Sequence, residues 1–154
     1  MNGLLLLKMV HVLSGAVLFG TGLGIAYFML MAHRTGDPRV IARVGRMVVR
    51  ADLLFTATAV IVQPVSGAIL GQLEGFRLTE PWLLAAYGLY LLVGACWLPV
   101  VFIQLQMTRL ADAAIDGVLP ARYHRLFRIW FALGWPAFAG VVGIYGLMIV
   151  KPAL

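Results

Sequence analysis

The sequence predicts an all-α polytopic membrane protein, a four-transmembrane-helix bundle, and three observations carry that prediction. Of the 154 residues, 62% are hydrophobic and only 12% charged, too few charges to cover a water-facing surface. Four apolar stretches each reach the roughly 20 residues that a helix, rising about 1.5 Å per residue, needs to cross a hydrocarbon core about 30 Å thick. These stretches are continuous, without the ten-residue alternation of barrel strands.

The first span is expected at about 4–33. No charge precedes Leu4–Leu7 and the apolar run continues to Ala32, which is transmembrane length and unlike a cleaved signal peptide. Gly36 is placed to end this helix, with Asp37 capping the next and Pro38 at its first position. Arg39, Arg43, Arg46 and Arg50 then recur at spacings of four, three and four. That pattern predicts a basic amphipathic extension over 38–50, running directly into the second span at about 51–72. Glu80-Pro81 starts the third span, about 81–107, which continues past Met107 and breaks near Asp116-Gly117. After Pro120, Arg122, Arg125 and Arg128 lead into the fourth span, about 128–150. Nothing is left over for a second domain, so the whole of 1–154 reads as a single membrane domain.

The net charge of +6 would suggest nucleic acid in a soluble protein, but here the arginines flank apolar segments and read as topology signals, so no nucleic acid is expected. Nine of the twelve Lys/Arg residues fall in the first and third connections. The basic side stays cytoplasmic, which puts both termini outside. The arginine stripes suit anionic lipid headgroups. Asp52, at the start of the second span, is expected to pair with Arg50 or Arg128. Trp82, Tyr87 and Tyr90 at one end, and Trp130 and Trp135 at the other, read as interfacial belts. Cys96 stands alone, which excludes an internal disulfide, a zinc cage and a cysteine-ligated cluster within one chain.

Lys8 and His11 are the most informative residues, one turn apart on one face of the first helix. An ionisable group at the centre of a span costs about 2.5–3.5 kcal/mol on insertion scales. Lys8 can escape by snorkelling, and His11 by hydrogen-bonding, neutral, to a neighbouring helix. A neutral imidazole is also a usual axial ligand of haem iron, which needs a flat apolar slot beside it. His11, Gly15, Leu18 and Gly22 share one face, where the glycines would let a planar ligand approach the backbone. Lys8 would neighbour a propionate, and Met148 on the fourth helix lies at similar depth as a candidate sixth ligand. The glycine patterns Gly20-xxx-Gly24 and Gly67-xxx-Gly71 equally suit helix packing and self-association into a homo-oligomer. Gln63 and Ser66, with Pro64 between them, either satisfy a carbonyl freed by the proline or face a cavity. Phosphate-cradling loops, nucleophile elbows and paired membrane carboxylates are absent from the sequence.

The segments Leu7-Lys8-Met9-Val10-His11, Arg122 through Ala139, and Leu147 through Pro152 resemble a bacterial family of predicted integral membrane proteins of unknown function. More distantly, the layout is similar to the HemJ-type protoporphyrinogen oxidases, short four-helix haem proteins. The resemblance lies in Lys8-x-x-His11, in Pro64 with its following glycines, and in Val150-Lys151-Pro152. It implies a bacterial inner membrane location, haem b with His11 as metal ligand, and oxidoreductase chemistry on a porphyrin or with quinone. That family carries a basic residue in its third helix and 81–107 has none, so the haem slot is implied more strongly than the oxidase activity. The contrasting expectation is a non-enzymatic scaffold, an accessory subunit or a small-solute pathway lined by Gln63, Ser66, Tyr87 and Gln104.

Overall fold

The structure, a computed structural model, describes residues 2–152; the expected domain, 1–154, exceeds these by one residue at the start and two at the end. It is all-helical, with no strand among the described residues. Helix α1 spans Gly3–Thr35 and α2 Pro38–Ala51, followed by one π-helical turn, Asp52–Thr56, and α3, Ala57–Leu73. Helices α4, Pro81–Ala113, and α5, Ala121–Val150, complete the chain. Four helices are long and apolar enough to cross a membrane, counting Pro38–Leu73 as one. The third extends to Ala113 and the fourth begins at Ala121, both longer than the apolar windows alone, because polar flanks outside hydrocarbon can continue a helix.

The boundaries have local causes. Gly36 takes the left-handed conformation (φ 66°) that most side chains avoid, and its N–H bonds the His33 carbonyl at 3.2 Å. The Asp37 side chain accepts the Arg39 amide at 2.8 Å with Pro38 opening α2. Pro64 removes the amide that would bond the Val60 carbonyl one turn earlier, and the Tyr90 hydroxyl of α4 donates to that carbonyl instead. A tyrosine, not the neighbouring Gln63 or Ser66, therefore satisfies the proline's freed acceptor.

The helices form two pairs, α1 with α3 and α4 with α5, while α2 packs on both α1 and α4. Helices α3 and α4 scarcely touch, and α1 meets α5 only sparsely. The pairs are thus clamped at the end that carries the arginines and part toward the end that carries the termini. The clamped end holds the core, in which Met29, Ile41, Met107, Ala111 and Tyr123 are all but sealed from solvent. Arg46 pairs with Asp112, and Arg39 with Asp116 at 2.8 Å, stapling α2 to α4 and to the turn that follows it. All four arginines of the stripe are exposed, and two of them, Arg39 and Arg46, are paired with carboxylates of the chain.

Of the two glycine patterns only the one containing Gly67 marks a close helix approach, and others occur outside the patterns. A Cβ added at Gly20 or Gly24 would meet nothing within 4 Å, whereas one at Gly45 would run into the Thr108 side chain and one at Gly140 would lie 2.7 Å from Val93 Cγ2. Gly45→Ala is expected to destabilise the bundle by about 1–3 kcal/mol through overpacking. Gly20→Ala should be neutral or stabilising by up to about 1 kcal/mol from helix propensity. Thermal unfolding of the two variants in detergent checks the contrast; equal shifts would remove Gly45 from the α2–α4 contact.

Candidate functional site between the helix pairs

Where the pairs part, a cavity of about 320 Å³ opens toward the terminal end, lined by side chains from α1, α3, α4 and α5. His11 is half-buried on its wall. The imidazole leans on α3, with Nδ1 2.9 Å from Ser66 Oγ. The Ser66 hydroxyl proton is directed at the Val62 carbonyl, 2.6 Å away, so its oxygen is left to accept. That oxygen can accept from Nδ1, and with the imidazole proton on Nδ1 the lone pair lies on Nε2. The nearest donor to that lone pair is the Gln63 amide nitrogen, at 3.4 Å, near the limit of a hydrogen bond. Gln63 is itself held by Ser14, whose hydroxyl is bonded to its Oε1. Gly67 gives the ring its seat, since a Cβ there would lie 3.0 Å from His11 Cε1.

The structure brings Lys8, His11 and Met148 to this one cavity and separates the two glycines from it. Gly15 is buried where a Cβ would lie 3.0 Å from the Tyr145 hydroxyl and 3.3 Å from the Gln63 amide. It lets polar groups approach α1 and forms no slot for a planar ligand. Gly22 lines a second cavity, of about 430 Å³, nearer the arginine end. The shared helical face is thus divided between two chambers, both bordered by Tyr90.

At the mouth, Lys8 forms an ion pair with Glu74, and Lys151 lies over the rings of Phe76 (4.6 Å) and Trp82 (5.9 Å). Two cations and one carboxylate line this rim. Ser14, Glu74 and Trp82 were not singled out as site residues from sequence. Ser14, one turn after His11, was the available signal, since a hydroxyl and an imidazole on one face share neighbours.

Other expectations are corrected. Asp52 pairs with neither Arg50 nor Arg128; its Oδ1 accepts the Trp97 indole N–H at 3.1 Å, because the carboxylate points into the bundle while those arginines face outward. Trp82 and Trp130 are buried rather than interfacial. Gln63 and Tyr87 line one chamber and Gln104 the other, so the four residues expected to line one pathway do not share a single cavity. His33 and His124 do meet, with ring centroids 6.0 Å apart, but His33 is stacked flat on Phe127. No group of three or more His, Cys, Asp or Glu residues able to hold a metal ion occurs among the described residues.

The family described as "Predicted integral membrane protein (DUF2269)" matches residues 5–152, and the chain belongs to it. No curated protein and no solved structure matches the chain.

The Glu74 carboxyl lies below its ordinary range, first because Lys8 donates to it and further because of the Lys8 and Lys151 charges, with desolvation opposing. A carboxyl whose folded value is depressed contributes stability above its ordinary range and loses it as pH falls through the depressed value. Lys8→Met should return the Glu74 titration upward, toward the ordinary glutamate range. Infrared bands of carboxyl-labelled glutamate followed against pH check this; an unmoved midpoint would separate Glu74 from Lys8.

Proposed function

We propose that this protein binds haem b in the terminal-side cavity through His11 Nε2 and serves as a redox protein of the bacterial inner membrane. The observation that supports it most is the tautomer. With the Ser66 hydroxyl donating to the Val62 carbonyl, its oxygen can accept from Nδ1 and leave the Nε2 lone pair for a metal, and metal-bound histidines are typically oriented by such a second bond. The cavity is at the small end of the roughly 300–1,000 Å³ found for ligand sites, and it is partly open. The Gln63 amide would have to turn aside from Nε2. Met148 lines the same cavity and would be a second residue able to hold the iron. The net positive rim, Lys8 and Lys151 against Glu74, is complementary to the carboxylates of a porphyrin.

Haem bound at this position supplies reversible one-electron transfer. The chain's own part is to fix the imidazole's tautomer and orientation, to surround the group with apolar walls and to offer cations to its acidic edge. Oxidation of a tetrapyrrole and exchange with the quinone pool are the two oxidoreductase roles compatible with such a site. A protein without cofactor, in which His11 only ties α1 to α3, is favoured by the same bond to Ser66 and is the reading to be excluded.

Protein purified from haem-replete cells should show a Soret band that His11→Ala abolishes while the fold persists. Ser66→Ala should keep the band but weaken haem retention by about 10–100-fold, the usual effect of losing an orienting partner. A colourless protein, or a band indifferent to His11, would overturn the proposal.

The excess of Lys and Arg at the clamped end supports a cytoplasmic position for that end, with both termini outside. Alkaline phosphatase fused to the C-terminus is therefore expected to be active and green fluorescent protein fused there dark. The opposite pair of results would invert the orientation.

A further inference from the structure

The larger cavity, about 430 Å³, lies between the helix pairs, beside α1 and α5, which meet only sparsely. Its lining includes eight aromatic residues, among them Tyr27, Trp97, Trp130 and Phe131. The few polar side chains gather at one place, Asp52 and Thr56 at the two ends of the π-helical turn and Gln104 behind them.

Asp52 is only 2% exposed, yet no Lys, Arg or His nitrogen among the described residues pairs with it. Its partners are neutral. Trp97 Nε1 donates to Oδ1 at 3.1 Å, and Gln104, with its amide nitrogen turned to Asp52, donates to Oδ2 at 3.3 Å and accepts the Trp130 indole N–H at 3.2 Å. Every donor around the carboxyl suits an anion, but no cation balances it. Beside it, the Thr56 hydroxyl is 5% exposed and completes no hydrogen bond. A buried carboxylate without a counter-ion is costly, and an orphaned hydroxyl adds to that cost. π-turns recur where a side chain is aimed for function rather than for packing.

From this geometry we infer that the arginine-side cavity binds a lipophilic cation, a single ammonium or similar positive centre on an apolar body, paired with Asp52 and flanked by aromatic faces. The ring faces attract positive charge, the volume suits a small organic molecule, and the gap between α1 and α5 admits it from the lipid. A lipid acyl chain would fill the space but leave Asp52 and Thr56 unmatched. The site shares Tyr90 with the His11 cavity but does not depend on what that cavity holds.

The test is binding of tetraphenylphosphonium to the full-length protein in phosphatidylcholine nanodiscs, with neutral triphenylphosphine oxide as the comparator. Saturable binding of the cation, weaker binding of the neutral compound, and loss of about tenfold or more in affinity in Asp52→Asn are expected. Gly134→Leu fills the cavity from a position where a Cβ meets nothing within 4 Å. It should abolish binding even where Asp52→Asn does not fold. Asp116→Asn, an exposed carboxylate at the arginine end, should bind like the parent. Equal uptake of the two compounds, or unchanged affinity in either cavity variant, would overturn the inference and leave lipid as the occupant.

Discussion

Hydrogen bonds that cannot be traded for water hold the α1–α3 pair, and the rest of the structure depends on them. In lipid, apolar side chains gain little by leaving one hydrocarbon surface for another, so helices associate through close packing and polar contacts. His11 to Ser66, Ser14 to Gln63 and the seat at Gly67 supply both for this pair. The same groups fix an imidazole at the edge of a cavity, so one set of bonds does structural work and poses the chemical question.

The two ends of the bundle are built differently. At the arginine end α2 inserts between α1 and α4, its apolar residues Ile41 and Ala42 are sealed, and ion pairs to Asp112 and Asp116 close its outer edge. Toward the termini no fifth element fills the space between the pairs, and Tyr90 crosses it to the Val60 carbonyl. Both chambers follow from that difference. A bundle packed evenly along its length would have no room beside His11 and no pocket over Asp52.

Much of this was legible in the sequence because membrane crossing is a property of single segments. Span number, the stop at Gly36, the cap at Asp37 and the basic run after it follow from residue type and spacing. The partners of Asp52 did not, because the pattern showed Arg50 and Arg128 close by but not the direction of the carboxylate. The glycine patterns were informative in part: Gly67 seats His11, whereas no helix of this chain lies against Gly20 or Gly24, and the tight sites Gly45 and Gly140 belong to no such pattern. Of the candidate site, Lys8, His11 and Met148 meet at one cavity, but Gly15 and Gly22 do not. A shared face says which residues point together; the depth at which the facing helices diverge is decided by side chains elsewhere.

The π-helical turn at Asp52–Thr56 has a consequence for how the long second span is indexed. A single surplus residue advances everything downstream by about 100° in phase relative to an unbroken α-helix. The basic stripe upstream and the face carrying Gln63, Ser66 and Gly67 downstream are thereby set at azimuths that one regular periodicity would not give. A basic surface stripe and the polar seat of His11 occupy one rod, yet each can be oriented without dragging the other around with it.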